Sequence, residues 1–212
     1  MIAHLIVGMF ALQTAAPAPR PASGATATLI SLYDSARDSD TKETVIRHLA
    51  ERGDDAAIEK IVTIAKSDGD ADLRETAIRH LANEAGESRT TLLLQLYDQE
   101  RDSELKETIL RHLAEREDQR VTPKLVAVAR SDGDDDLREA AVRNLAEVSG
   151  EARTTLLIEL YDTIRSVDLK ETLIRHLGER SDAKAGQKLE AIAKSDPDSD
   201  LREAAIRHLA HR

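Results

Sequence analysis

Residues 71–82 read ADLRETAIRHLA. Leu73, Ala77, Ile78 and Leu81 fall at the three- and four-residue spacing that gathers apolar side chains on one stripe of an α-helix. On a wheel of 100° per residue starting at Leu73, Ala77, Leu81 and Ile78 lie at about 40°, 80° and 140°, Arg79 near 240° and His80 near 340°. Arg79 is therefore expected to point outward and His80 to flank the buried stripe. Outward from this stretch, the pattern returns every 32 residues, with Arg47, Arg79, Arg111, Arg143, Arg175 and Arg207 in one column and Leu49, Leu81, Leu113, Leu145, Leu177 and Leu209 in another. A fixed period of this size predicts a repeat array rather than a domain count taken from the 212-residue length.

Each unit also contains an upstream amphipathic segment. In the second unit it is DAAIEKIVTIAKS at 55–67, with Ile58, Ile61, Val62 and Ala65 at helical spacing. Two helices joined by an acidic turn, six times over, predict an all-α chain. The expected fold is an α-solenoid of six 32-residue helix-turn-helix units spanning residues 24–212. A second period of 64 lies on top of the first. Tyr33, Tyr97 and Tyr161 alternate with Ala65, Ala129 and Ala193, and the column Val45, Ala77, Ile109, Ala141, Leu173, Ala205 alternates large with small. This alternation predicts that unlike residues fill the space between layers, in a two-unit cassette that repeats.

The turn SDGDADLRE at 67–75 spaces Asp68, Asp70 and Asp72 like the start of a calcium loop, but an EF-hand loop needs glycine at its sixth position, where this chain has Leu73. The same turn suits a helix start. Asp38, Asp70, Asp102, Asp134, Ser166 and Asp198 stand where a side chain can accept hydrogen bonds from free N–H groups, and an acid follows two residues later in every unit.

With the turn, the basic residue after the first apolar position (Lys42, Arg74, Lys106, Arg138, Lys170, Arg202) and the apolar positions beyond in view, the units resemble HEAT repeats. They are close to the short type also found in phycobilin lyases, and SDPDSDLREAAIRHLA at 195–210 carries the likeness most fully. The resemblance covers residues 24–212. It implies a right-handed superhelix with second helices lining the concave face and ladders of acid and base between layers. It is specific for fold and nearly silent on function, because such repeats serve binding far more often than catalysis.

A net charge of −10 disfavours binding to phosphate backbones and leaves basic or neutral protein partners. Glu43–Arg47, Glu75–Arg79, Glu107–Arg111, Glu139–Arg143, Glu171–Arg175 and Glu203–Arg207 have the spacing of helical i,i+4 ion pairs, which offsets the arginine charge. The absence of cysteine excludes disulfides, thiolate metal sites and cysteine nucleophiles. No HExxH motif, phosphate-binding glycine loop or nucleophile arrangement is present, so no catalytic site, cofactor or metal is expected. The column His48, His80, His112, Asn144, His176, His208 does not alter this: stacked helices lie about 8–10 Å apart, whereas a metal–imidazole bond is about 2 Å.

Residues 1–23, MIAHLIVGMFALQTAAPAPRPAS, read as an exported protein's leader or a membrane-proximal segment with an Ala/Pro linker. The apolar run is too short for a stable membrane span, and small residues precede a possible cut at Thr14 and Ala16 or Ala16 and Ala18. No Lys or Arg comes before it, which argues against a signal peptide, and a truncated, membrane-anchored protein is the competing reading.

The functional expectation is a non-enzymatic protein-binding scaffold. Its candidate contact residues are His48, His80, His112, Asn144, His176 and His208 with Arg79, Arg111 and Arg143, although packing between layers explains the histidines as well. The alternative is end-to-end self-assembly into oligomers or filaments. A chromophore-handling enzyme is implied only by the lyase likeness, and the missing cysteine and scarce aromatics oppose it.

Overall fold

A computed structural model describes residues 24–84, 86–147 and 151–211; the leader-like residues 1–23 lie outside them. Among the described residues the chain forms twelve α-helices. They are α1 (Gly24–Ser35), α2 (Ser39–Arg52), α3 (Asp55–Ser67), α4 (Ala71–Ala82), α5 (Glu87–Gln99), α6 (Ser103–Ala114), α7 (Val121–Ser131), α8 (Asp135–Glu147), α9 (Glu151–Thr163), α10 (Val167–Gly178), α11 (Ala183–Ser195) and α12 (Ser199–Ala210). No helix among them is long and apolar enough to cross a membrane. Odd-numbered helices are the first of each unit and even-numbered helices the second.

The acidic turns start the second helices as expected. Asp38 accepts the N–H of Thr41, Asp70 that of Asp72, Asp102 those of Glu104 and Leu105, Ser166 that of Leu169, and Asp198 those of Asp200 and Leu201. Each bond satisfies a backbone donor that the first helical turn leaves open. Asp54 and Asp182 cap the first helices α3 and α11 in the same way. At the end of α2 the chain reverses through Gly53 in the left-handed region, φ 62°, a conformation that costs glycine little.

The apolar stripes form one continuous core. Ile46, Ile78, Leu110, Val142 and Ile174 are wholly buried, as are Leu49 and Leu113. The second helices touch in an unbroken row, α2 to α4 to α6 to α8 to α10 to α12. The first helices approach one another more sparingly, and α5 and α7 meet through side chains rather than close backbones. Closer approach along one layer curves the stack toward it, so the second helices line the inner side.

The 64-residue cassette has a chemical basis as well as a steric one. Tyr33, Tyr97 and Tyr161 are each 3% exposed. Their hydroxyls donate to Asp68 (2.6 Å), Asp132 (3.0 Å) and Asp196 (2.7 Å) in the turn of the following unit. Each ring lies between two lysines, as where Lys106 and Lys124 approach the Tyr97 ring centre at 5.2 and 4.4 Å. Lys60–Asp34, Lys124–Asp98 and Lys188–Asp162, all at 2.5 Å, pin first helix to first helix outside the rings.

Candidate second-helix interface

The second helix of each unit presents one outward stripe. In the first unit it runs Asp40, Glu43, Arg47, Glu51; in the third, Glu104, Glu107, Arg111, Glu115; in the fifth, Asp168, Glu171, Arg175, Glu179. Successive steps of three and four residues keep these side chains on one side of the helix. Arg47, Arg79, Arg111, Arg143, Arg175 and Arg207 are exposed in every unit, as the wheel predicts. Over six units the stripe carries sixteen carboxylates and six arginines, from Asp40 at one end to Arg207 at the other. The inner face is therefore strongly acidic, with arginines set among carboxylates.

The arginine partners differ from the expected pairs within one helix. Arg143 bonds Glu107 of the preceding unit at 2.8 Å, and Arg175 and Arg207 approach Glu139 and Glu171 across layers at 3.8 Å. Only Arg207 also meets its own-helix partner, Glu203, at 3.3 Å among the described pairs. Parallel second helices one layer apart bring Arg143, Arg175 and Arg207 level with a glutamate of the layer before, whereas Arg79 donates to Thr76 of its own helix at 3.0 Å. The result is a ladder between layers. Arg143 and Glu107 are each 46% exposed in their side chains, and ion pairs this exposed contribute about 0–1 kcal/mol. Such partners exchange for others at little cost.

The histidine column lies deeper. His48 is exposed and bonds Glu51 at 2.8 Å through Nδ1. His112 and His176 repeat the contact with Glu115 at 3.4 Å and Glu179 at 3.1 Å, but their side chains are only 13% and 12% exposed. His80 is half-buried, and burial, then the charges of Arg79 and Arg47, lower its pKa below the usual imidazole value. Asn144 is buried. His208 packs on Gly178, where an added Cβ would overlap the ring. From His80 onward the column sits between layers, and the arginines and acids stand in front of it.

A second cluster was not evident from the sequence pattern. Thr26 Oγ1 donates to Asp54 and accepts from Arg52 Nε, both at 2.5 Å. Thr154 donates to Asp182 at 2.6 Å and Arg180 Nη1 reaches Thr154 at 3.4 Å. Arg116 Nη2 donates to the backbone carbonyls of Ala82 (2.6 Å) and Glu84 (2.7 Å), and Arg180 Nη2 to that of Ala146 (2.8 Å). These arginines tie the end of one second helix to the next unit, satisfying carbonyls the helix leaves open. Arg116 and His112 also line a cleft of about 550 Å³ with Asn83, Gly86 and Thr90. The signal for the cluster is the 64-residue column set Thr26/Thr90/Thr154, Arg52/Arg116/Arg180 and Asp54/Asp118/Asp182.

Among the described residues no group of His, Cys, Asp and Glu has the arrangement of a metal site. A family model described as HEAT repeats matches residues 26–114, 90–171 and 122–210. No curated protein matches the chain. Among solved structures, a de novo designed 16-helix transmembrane nanopore determined by cryo-EM aligns at 17% identity with a TM-score of 0.17. That alignment covers 88% of this chain and 59% of the designed one, and its score is too low to bear on fold or function.

Proposed function

Because the chain belongs to the HEAT-repeat family, whose repeats generally serve as protein-interaction scaffolds, we propose that it is a non-enzymatic scaffold binding a basic protein segment along its second-helix face. The observation that carries this reading is the outward stripe of sixteen carboxylates and six arginines, exposed or half-exposed throughout and paired only at the surface. The core does not need these side chains. A partner rich in Lys and Arg would meet the acids, while Arg79, Arg111 and Arg143 would offer planar forks to its carboxylates and carbonyls. Electrostatic complementarity of this kind raises the association rate and selects against acidic partners.

The test compares two charge reversals of equal size in binding to a captured partner. Glu107→Lys, Asp136→Lys and Glu139→Lys together alter the stripe, whereas Asp55→Lys, Glu59→Lys and Glu190→Lys alter exposed acids of first helices. The stripe variant should lose at least tenfold in affinity with little change in melting temperature, and the first-helix variant should bind nearly as the wild type does. Equal losses in both would reduce the effect to net charge and defeat the proposal.

A further inference from the structure

Three large apolar side chains are exposed among the described residues: Leu32 at 48%, Val167 at 43% and Ile206 at 54%. Two of them have buried equivalents at every matching position of the stack. Ile206 corresponds to Ile78 and Val142, both 0% exposed, in the even units. Leu32 corresponds to Leu96 at 3% and Leu160 at 0% in the odd units. Leu96 lines a groove with Ala65 and Arg74 of the unit before it. Ile206 and Leu32 are thus the two halves of one junction, the step from an even unit to an odd one, which the molecule completes twice, between units 2 and 3 and between units 4 and 5.

From this we infer that the α11–α12 face of one copy docks on the α1–α2 face of a second copy, continuing the stack head to tail. The parity fits, since the sixth unit is even and the first is odd. Ile206 would enter the place that Ile78 and Val142 fill, and Leu32 that of Leu96 and Leu160. One charged fitting of the unit 2–3 junction has counterparts on the two faces, although the position of Glu100, which Arg74 meets at 3.1 Å, is Ala36 in the first unit. Arg74 reaches Asp102 of the next unit at 3.5 Å. Their equivalents are Arg202, on the α12 face, and Asp38, at the start of α2. Arg52 stands where Arg116 and Arg180 hold the carbonyls of the preceding second helix. A cleft of about 750 Å³ lined by Ala25, Leu29, His48 and Arg52 opens on the same side.

Among the described residues neither face covers the other. Five layer steps of about 8–10 Å put them roughly 40–50 Å apart. The contact is heterologous, so each added copy leaves the same two faces open.

The experiment is light scattering on the full chain across concentration, with Leu32→Glu and Ile206→Glu. Both side chains are exposed, so each variant should keep the wild-type circular dichroism melt; Leu32→Gln and Ile206→Gln provide milder replacements if a melt shifts. Wild-type mass should rise with concentration, each variant should stay monomeric, and an equimolar mixture of the two should form dimers. In that mixture one intact Ile206 face meets one intact Leu32 face, which leaves a single junction. A wild type that stays monomeric, a mixture that stays monomeric, or a Leu32→Glu variant that still associates would each overturn the inference, the last by revealing a two-fold contact. Reversing Glu107, Asp136 and Glu139 should leave association intact, so this result is separable from partner binding.

Discussion

Tyr97 shows how much of this array depends on single atoms. Burial raises the pKa of all three tyrosines, first by removing water and then through the carboxylate each hydroxyl bonds, Asp68, Asp132 or Asp196. A tyrosine whose folded pKa lies above its unfolded value of about 10 stabilises the fold fully below that value and progressively less above it. Stability should therefore fall as pH rises past about 10, and ultraviolet titration should show the three tyrosines ionising together on unfolding rather than one by one. Tyr97→Phe should cost about 1.5 kcal/mol in urea unfolding, because it takes the hydroxyl donor from Oδ2 of Asp132 and leaves only the Asp134 N–H on Oδ1. His80 carries the opposite sign: its lowered pKa means stability present above about 6.5 and lost as pH falls below it. His80→Asn, which copies Asn144, should flatten that acid-side slope between pH 7.5 and 5.5 in chemical denaturation. The sequence displayed the tyrosines as volume alternating with alanine, and the volume reading holds. It did not display the hydroxyl bond, whose acceptor lies 35 residues on, because helical periodicity orders one helix face and says nothing of what a neighbouring turn brings to it. The outward arginine and the flanking histidine were readable, since both depend only on the wheel. Which glutamate the arginine meets depends on the stacking of layers, and the sequence contains no measure of that.

At the scale of one element, the turn before α10 departs from its equivalents. Ser39 and Ser103 donate to Asp70 (2.8 Å) and Asp134 (2.5 Å) of the following unit, and these bonds are the leading cause lowering the pKa of both aspartates. The equivalent residue is Val167, 43% exposed, facing a turn that contains Asp198. Val167→Ser should supply the missing bond and remove exposed apolar area, raising stability by about 0.5–1 kcal/mol; an unchanged urea midpoint would mean the hydroxyl does not reach Asp198. The neighbouring substitutions have the same character. Where Arg74 meets Glu100 and Asp102, Arg138 has Ile164 and Ser166 in their places and turns back to Asp135 of its own helix. Ile164 is 6% exposed, so this junction exchanges a half-buried ion pair for apolar burial. The helix starts themselves were foreseeable from Asp and Ser at the cap position. The bonds between turns were not, because each joins residues about one unit apart.

In the whole molecule, layers interact with their neighbours alone, so stability is a sum over units and junctions. Two kinds of junction alternate, and the cassette rather than the unit is what can be removed without harm. Deleting residues 87–150 joins Gly86 to Glu151, the same Gly–Glu step that precedes α5 and α9. The remaining four units keep their order of odd and even, and Tyr33 and Tyr161 keep Asp68 and Asp196. Deleting residues 87–118 instead sets unit 2 directly against unit 4. Ala65 and Ala77 then face a layer built with Ala129 and Ala141, where Tyr97 and Ile109 had filled the space. Loss of a buried aromatic or aliphatic side chain costs about 2–5 kcal/mol at each site, and both sites fall at the one new junction. Urea unfolding of the two deletions should therefore rank against chain length: the four-unit protein unfolds in a single transition at the higher midpoint, and the longer five-unit protein unfolds at the lower midpoint with a broadened transition.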